Sequence, residues 1–356
     1  MFFTILAAFI GLVGLMVIHE FGHFILAKKF GIKVEEFGIG YPPRLFGKKI
    51  GETVYSVNLL PFGAFVKVYG EQGGIEDYHS FSGKPMWQRL AIVFGGVISF
   101  WVAAAIILSI VAGAWGLPAA VSDEENQRLA DPKVQIIEVA RNSPAQAVDI
   151  RVGDTIVGFS KIKDFQSFVA GNKGQELSLT IKRNSEMLTK KITPRLNPPA
   201  NEGPLGVAMT RIALRQYAWY QAAPQGIIST AKLTSNVVGS WVLVVKSLFG
   251  LAKLPDGVKL EMMGPVGIFD LLREYFAIGI NYFLFLIALI AVALALANLL
   301  PIPALDGGKI IFLLVEAVRG RAINHKLEQR VTSAFFALLI ILMIFVTIKF
   351  DIPRVF

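Results

Sequence analysis

Hydrophobic positions fall into long unbroken runs, separated by stretches where the pattern shortens or turns polar. One run covers residues 2–27, a second 90–115, a third 278–300 and a fourth 332–348. Each is long enough to cross a bilayer as a helix, which takes roughly 17–25 apolar residues. Between the first two runs the period drops to two. Residues 54–58 and 64–68 read as short strands, punctuated by Pro61, Gly63 and Gly70. Such a β-structured loop can be a plain hairpin, or it can offer an edge strand to an extended peptide.

From Gly116 to about Asn201 the composition turns polar and charged. Strands are expected at 134–139, 155–159, 177–182 and 186–193, with a short helix after Asn142-Ser143-Pro144-Ala145 and another at 163–169. Residues 227–254 mix apolar positions with Lys232, Ser235, Asn236, Lys246 and Lys253, which predicts an amphipathic helix on the membrane surface. A full span there would invert everything downstream.

The expected organisation is therefore a first span (1–30), a β-loop region (31–84), a second span (85–116), an α+β domain (117–205) and an interfacial linker (206–260). A third span (261–318) and a basic loop with a fourth span (319–356) complete it. Composition agrees: 54% hydrophobic residues, 17% charged and a mean hydropathy of +0.57 describe a polytopic membrane protein. The net charge of +9 does not indicate nucleic-acid binding, because the basic residues flank apolar runs and form no single patch. With no cysteine there are neither disulfides nor thiolate ligands. The first run lacks a basic lead-in and a small-residue cleavage site, so it reads as a retained span and not a signal peptide.

Lys28, Lys29, Lys33, Arg44, Lys48 and Lys49 follow the first run, which puts its C-terminal end on the cytoplasmic side. The α+β domain is then extracytoplasmic. Arg319, Arg321, Lys326 and Arg330 mark the end of the third span as cytoplasmic in the same way.

The chemistry lies in His19-Glu20-Phe21-Gly22-His23. Histidines four apart share one helix face, so their ring nitrogens can converge on one zinc ion, and Glu20 can reach a water there. Ionisable groups at membrane depth are costly and point to function. The alternatives are a buried, hydrogen-bonded histidine pair or haem ligation. A zinc site needs a third protein ligand. Asp306, after Pro301-Ile302-Pro303 and before Gly307-Gly308, is the candidate, because it too falls at the cytoplasmic end of a span. Its other reading is a helix N-cap. His79 and His325 have no spaced partner and read as solvated or interfacial.

These residues resemble the site-2 protease family of intramembrane zinc metalloproteases, in its bacterial PDZ-containing branch of the regulator of sigma-E protease type. The resemblance rests on His19-Glu20-Phe21-Gly22-His23 and on Asn298-x-x-Pro301-x-Pro303-x-Leu305-Asp306-Gly307. Leu60-Pro61-Phe62-Gly63-Ala64-Phe65-Val66-Lys67, Lys84-Pro85-x-Trp87-Gln88-Arg89 and Gly264-Pro265-Val266-Gly267-Ile268 support it. Asn142-Ser143-Pro144-Ala145 followed by Arg151-Val152-Gly153-Asp154 resembles the bacterial PDZ domain, which binds extended peptides by strand addition.

The resemblance implies a polytopic α-helical membrane protein of about four transmembrane helices, with a membrane-associated β-loop and one extracytoplasmic α+β PDZ domain. It implies His19, His23 and Asp306 as zinc ligands, Glu20 as general base and Asn298 as a substrate-positioning group. It further implies single-span transmembrane substrates, a peptide ligand at the PDZ domain, no nucleic acid, and residence in the bacterial inner membrane with the site near the cytoplasmic face. The family's roles include regulated cleavage of a pre-cut anti-sigma factor and removal of remnant signal peptides. Two departures stand out. Phe94-Gly95-Gly96-Val97-Ile98-Ser99-Phe100 replaces the family's Ala-Gly-Pro-x-x-Asn-Phe, and there is room for one PDZ domain where some members carry two. The competing functions are a zinc transporter, which would carry further ionisable residues along its spans, and an inactive scaffold, which would not need Glu20.

Overall fold

The structure is a computed structural model and describes residues 2–71, 77–125, 129–140, 142–183, 186–199, 202–252, 263–321 and 323–355. Helix α1 (Phe2–Lys29) leads into two long strands, β1 (Val34–Ile50) and β2 (Thr53–Val68), followed by α2 (Met86–Ala114). Next come β3 (Leu117–Val121), β4 (Leu129–Val139), α3 (Pro144–Ala147), β5 (Thr155–Ile156) and α4 (Ile162–Gly171). Strands β6 (Leu177–Arg183), β7 (Glu186–Ile192) and β8 (Val207–Arg215) follow. The helices α5 (Trp219–Leu248), α6 (Pro265–Ile278), α7 (Ile280–Asn298), α8 (Asp306–Arg319) and α9 (His325–Val346) come last, and α9 runs on into a π-helical turn, Thr347–Asp351.

Contacts divide the chain into two compact units: Met1–Ser109 with Gly226–Val245 and Leu260–Phe356, and Ile110–Gln225 with Lys246–Lys259. In the first unit, α1 and α2 run antiparallel in close backbone contact. A Cβ on Gly22 would stand 2.2 Å from the Gly95 carbonyl oxygen, so only glycine admits this approach. Helix α7 runs parallel to α1, with Gly11 against Phe283 and Ile287. Pro301 and Pro303 then prevent the helix from continuing, and the chain restarts as α8. Gly307 and Gly308 lie directly on the carbonyls of residues 299–302, where a Cβ would come within 2.1 and 2.4 Å of oxygen.

The two long strands bend, so that one residue has partners on both sides. Phe37 pairs with Val66 on one flank and Tyr55 on the other. The ribs run in the order 44–50, 53–58, 34–39, 64–68, which leaves 64–68 as an edge among the described residues. Ala27, Ile32, Val34, Val68, Phe81, Ile92, Val93 and Leu313 form a buried cluster that fixes the root of this sheet to α1, α2 and α8.

The second unit holds a six-stranded sheet in the order β3-β8-β4-β5-β6-β7. Its core follows the period of two: Leu177, Leu179 and Ile181 point inward against Val134, Ile136, Ile156 and Phe165. Ser143 caps α3, its hydroxyl accepting from the Gln146 amide at 3.1 Å. Asp154 is buried at 1% exposure. It receives two 2.8 Å bonds from the Arg183 guanidinium and one from the Arg151 amide, so its charge is compensated.

Two expectations change. The soluble domain does not stop at 205, because β8 belongs to its sheet between β3 and β4. The cause is Arg211, an inward position in this strand. It is 3% exposed and donates to the carbonyls of Ser160, Ser122 and Glu125 at 2.7–2.8 Å. A guanidinium that satisfies backbone oxygens takes the place of an apolar residue and breaks the alternation. Residues 227–254 also differ: α5 is one continuous helix that starts at Trp219. Five described helices, α5 among them, are long and apolar enough to cross a membrane, and α5 has the lowest mean hydropathy, 1.3 against 2.0–2.8 for the rest.

Candidate metal centre

Both histidines lie near the C-terminal end of α1, with no helix breaker between them and Lys29. Their rings meet edge to face with centroids 4.7 Å apart, and the two Nε2 atoms are 3.3 Å from each other. Asp306 is the first residue of α8. Leu305 occupies the cap position, so the N-cap reading of Asp306 does not hold. Its carboxylate turns toward the rings instead, with Oδ2 3.4 Å from His19 Nε2 and 3.6 Å from His23 Nε2.

That triangle fits one ion. Two ligands bonded to zinc at about 2.0–2.1 Å in a tetrahedral shell stand about 3.3–3.4 Å apart. Oδ2 is buried with no hydrogen-bond donor, while the two Nε2 atoms lie within hydrogen-bond distance of each other, one donating to the other. A cation between the three meets the oxygen and takes both nitrogen lone pairs. Among the described residues, His19, His23 and Asp306 are the group of histidine and acidic side chains close enough to hold a metal.

The surroundings fix ring orientation. His23 Nδ1 donates to the Ile92 carbonyl at 2.8 Å, which leaves Nε2 as the free donor atom. His19 stacks on Phe100 at 4.8 Å and 18°. Gly96 lies against both rings. A Cβ there would be 2.2 Å from His23 Nε2, so the Gly95-Gly96 pair of α2 is a steric requirement of this site.

Glu20 faces the same space from the neighbouring position. Its Oε2 accepts the Val66 amide of β2 at 3.0 Å, so the outermost rib of the β-sheet holds the carboxylate directly. A cavity of about 240 Å³ is lined by His19, Glu20, His23, Phe65, Val66 and Asp306, among others. Lys309, one turn beyond Asp306, forms an ion pair with Glu71 just after β2 and ties that rib to α8. Asn298 ends α7 and is not among the residues that line the cavity. His79 is exposed, beside Asp77. His325 lies across from Asp306 on a second cavity of about 370 Å³.

Sequence reasoning named His19, Glu20, His23 and Asp306, and the structure brings these four side chains to one cavity. That reasoning missed the Val66 amide, Gly96 and the Ile92 carbonyl. The first and last are backbone groups and leave no side-chain signature. Gly96 reads in the sequence as a small residue for helix packing and as a departure from a family motif, not as a contact of the histidine rings.

Two imidazoles and an adjacent glutamate on the membrane-length helix α1, with one carboxylate at the start of α8, make the donor set of a metal-dependent hydrolase. The chain belongs to peptidase family M50, the site-2 proteases, whose model matches residues 7–342. It is 35% identical over 350 residues to a Clostridium perfringens protein assigned by its name to the zinc metalloproteases, covering 97% of each chain. It is 29% identical over 447 residues to the regulator of sigma-W protease RasP of Bacillus subtilis, covering the whole of both. A zinc metalloprotease RasP of Oceanobacillus iheyensis is 28% identical over 442 residues, covering 99% of this chain and all of the relative. The protein is thus a multi-pass membrane zinc metalloprotease.

Proposed function

We propose that the protein cuts single-span membrane proteins within the bilayer, with His19, His23 and Asp306 as zinc ligands and Glu20 as general base. The observation that carries this is the ligand-sized triangle formed by α1 and the start of α8, which follows the membrane-length helix α7. When bound, zinc supplies Lewis acidity and an acidified water. Glu20 takes the proton of the attacking water and passes it to the leaving amine. Asn298, one residue before the helix break, positions substrate on the strength of the family resemblance.

A transmembrane substrate is helical, and its scissile amide is locked in the helical hydrogen-bond ladder. The rib at 64–68 offers an alternative. It is an edge among the described residues, and Ala64, Phe65 and Val66 line the cavity that holds Glu20. An unwound substrate adds there as a strand and exchanges helix hydrogen bonds for sheet bonds, which the bilayer interior requires. The six-stranded unit is assigned as a PDZ domain that takes a peptide ligand on the extracytoplasmic side of a bacterial inner membrane. The substrate class is a pre-cleaved anti-sigma-type regulator or a remnant signal peptide, in line with the sigma-W role in the name of the B. subtilis relative.

Basic residues after α1 and α8 put the triad near the cytoplasmic face. Parity supports a count of four spans. Helix α5 starts against the far half of α2, with Gly226 on Ala105 and Ser109. Gly264, ahead of α6, donates its amide at 2.9 Å to Asp351, at the far end of α9. Both ends of the segment 226–264 therefore lie on the side away from the triad. One helix cannot begin and end on the same side by crossing once, and residues 249–263 are fewer than the ~20 that a return helix needs. Four spans and a helix α5 that dips into the outer leaflet without crossing satisfy this count.

The test is Glu20→Gln in the full chain with a single-span substrate. Cleavage is expected to fall about 10²–10⁴-fold with zinc retained. Persistent cleavage with zinc bound would remove Glu20 from the mechanism.

A further inference from the structure

The two parts of the triad come from opposite ends of the sequence, and α2 supplies no ligand. Yet α2 touches both parts within two turns. Ile92 holds His23 through its carbonyl, and Gly95 and Gly96 set the approach of α1 and both imidazoles. One turn earlier, Arg89 reaches the other side. Its NH2 is 2.7 Å from Glu316 Oε1 and its NH1 3.2 Å from Oε2, a bidentate fork across 227 positions of sequence. The two side chains are 11% and 22% exposed, so the pair is largely withdrawn from water.

Glu316 lies on α8, ten residues after Asp306 and about 15 Å along the same axis. The start of α8 is held sterically, by Gly307 and Gly308 against the preceding loop. Its far half bears Glu316 on α2, while Val315 and Val318 there are exposed. Leu313, midway between, packs against Ile92 and Val93 of α2, an apolar contact that sets no direction by itself. A planar, two-bond fork at the other end sets one, and a lysine cannot reproduce it.

We propose that Arg89 and Glu316 are positioning residues for the metal centre: they brace α8 against the helix that also orients His23, and so set where Asp306 meets the histidine pair. The inference rests on the ligand assignment made above. Neither residue touches the metal or the substrate. Their effect on the site is that of outer groups that orient ligands, whose loss costs about 10–100-fold in metal affinity.

The experiment is zinc affinity of the purified full chain, by competition with a chelator, with helicity and thermal unfolding measured alongside. Arg89→Lys and Glu316→Gln are each expected to weaken zinc binding about 10–100-fold while the chain stays folded. The exchanged pair, Arg89→Glu with Glu316→Arg, is expected to recover most of that loss. Unchanged affinity in both single variants overturns the brace, as does an exchanged pair no better than either. If a single variant does not fold, the exchanged pair decides alone: recovered affinity supports the brace and weak affinity refutes it. Asp306→Ala, measured in parallel, separates the two levels. Zinc kept at full affinity there refutes the ligand assignment and the brace with it. Zinc lost there but unchanged in the Arg89 and Glu316 variants refutes the brace alone.

Discussion

Asp154 in the soluble unit is buried, Asp306 in the membrane unit is partly buried with its Oδ2 withdrawn from solvent, and their surroundings differ in kind. Asp154 has every need met: a guanidinium on both oxygens and an amide besides. Asp306 has a buried oxygen with no hydrogen-bond donor, 3.4 and 3.6 Å from two ring nitrogens. A compensated buried charge is scaffold. An oxygen that no donor meets, held beside two imidazoles, is a ligand atom for a cation. The contrast separates function from stability without reference to any motif.

It also predicts which changes matter where. Asp306→Ala carries the largest effect: cleavage and zinc binding are lost together while the soluble unit keeps its unfolding transition, as metal analysis and calorimetry of the full chain would read. Asp154→Ala reverses the pattern. It removes two charged hydrogen bonds from Arg183, which is 20% exposed and keeps its bonds to Asp149, and is expected to cost about 1–3 kcal/mol in the soluble unit with zinc content unchanged. A zinc-depleted Asp154→Ala chain would break the distinction.

The smallest effect concerns Asp149, at the rim of the same arginine. Hydrogen bonds from Arg151 and Arg183 hold its carboxyl down at about 2. A depressed carboxylate adds stability that is present above the unfolded value near 3.9 and is lost as pH falls through the folded value. Stability of the soluble unit is therefore expected to fall between about pH 4 and pH 2, with a shallower slope in Asp149→Asn. The group is more than half exposed, so the change is modest.

Much of this was legible before the structure. The i, i+4 spacing of His19 and His23 fixes their shared face, and basic residues after two separate spans bring Asp306 to the same depth. The strands at 134–139 and 177–182 announce themselves by alternation. What escaped has definite causes. Strand β8 turns an arginine inward, and β3 is five residues long with a proline. Helix α5 starts at Trp219, eight residues before the expected 227. The Val66 amide on Glu20 belongs to the backbone, which no side-chain pattern encodes.

The central claim is that two distant spans complete one zinc site. Zinc stoichiometry of purified wild-type, Glu20→Gln and Asp306→Ala chains tests it most directly. The account predicts one zinc per chain in the first two and none retained in the third. Full zinc occupancy at wild-type affinity in Asp306→Ala would contradict it.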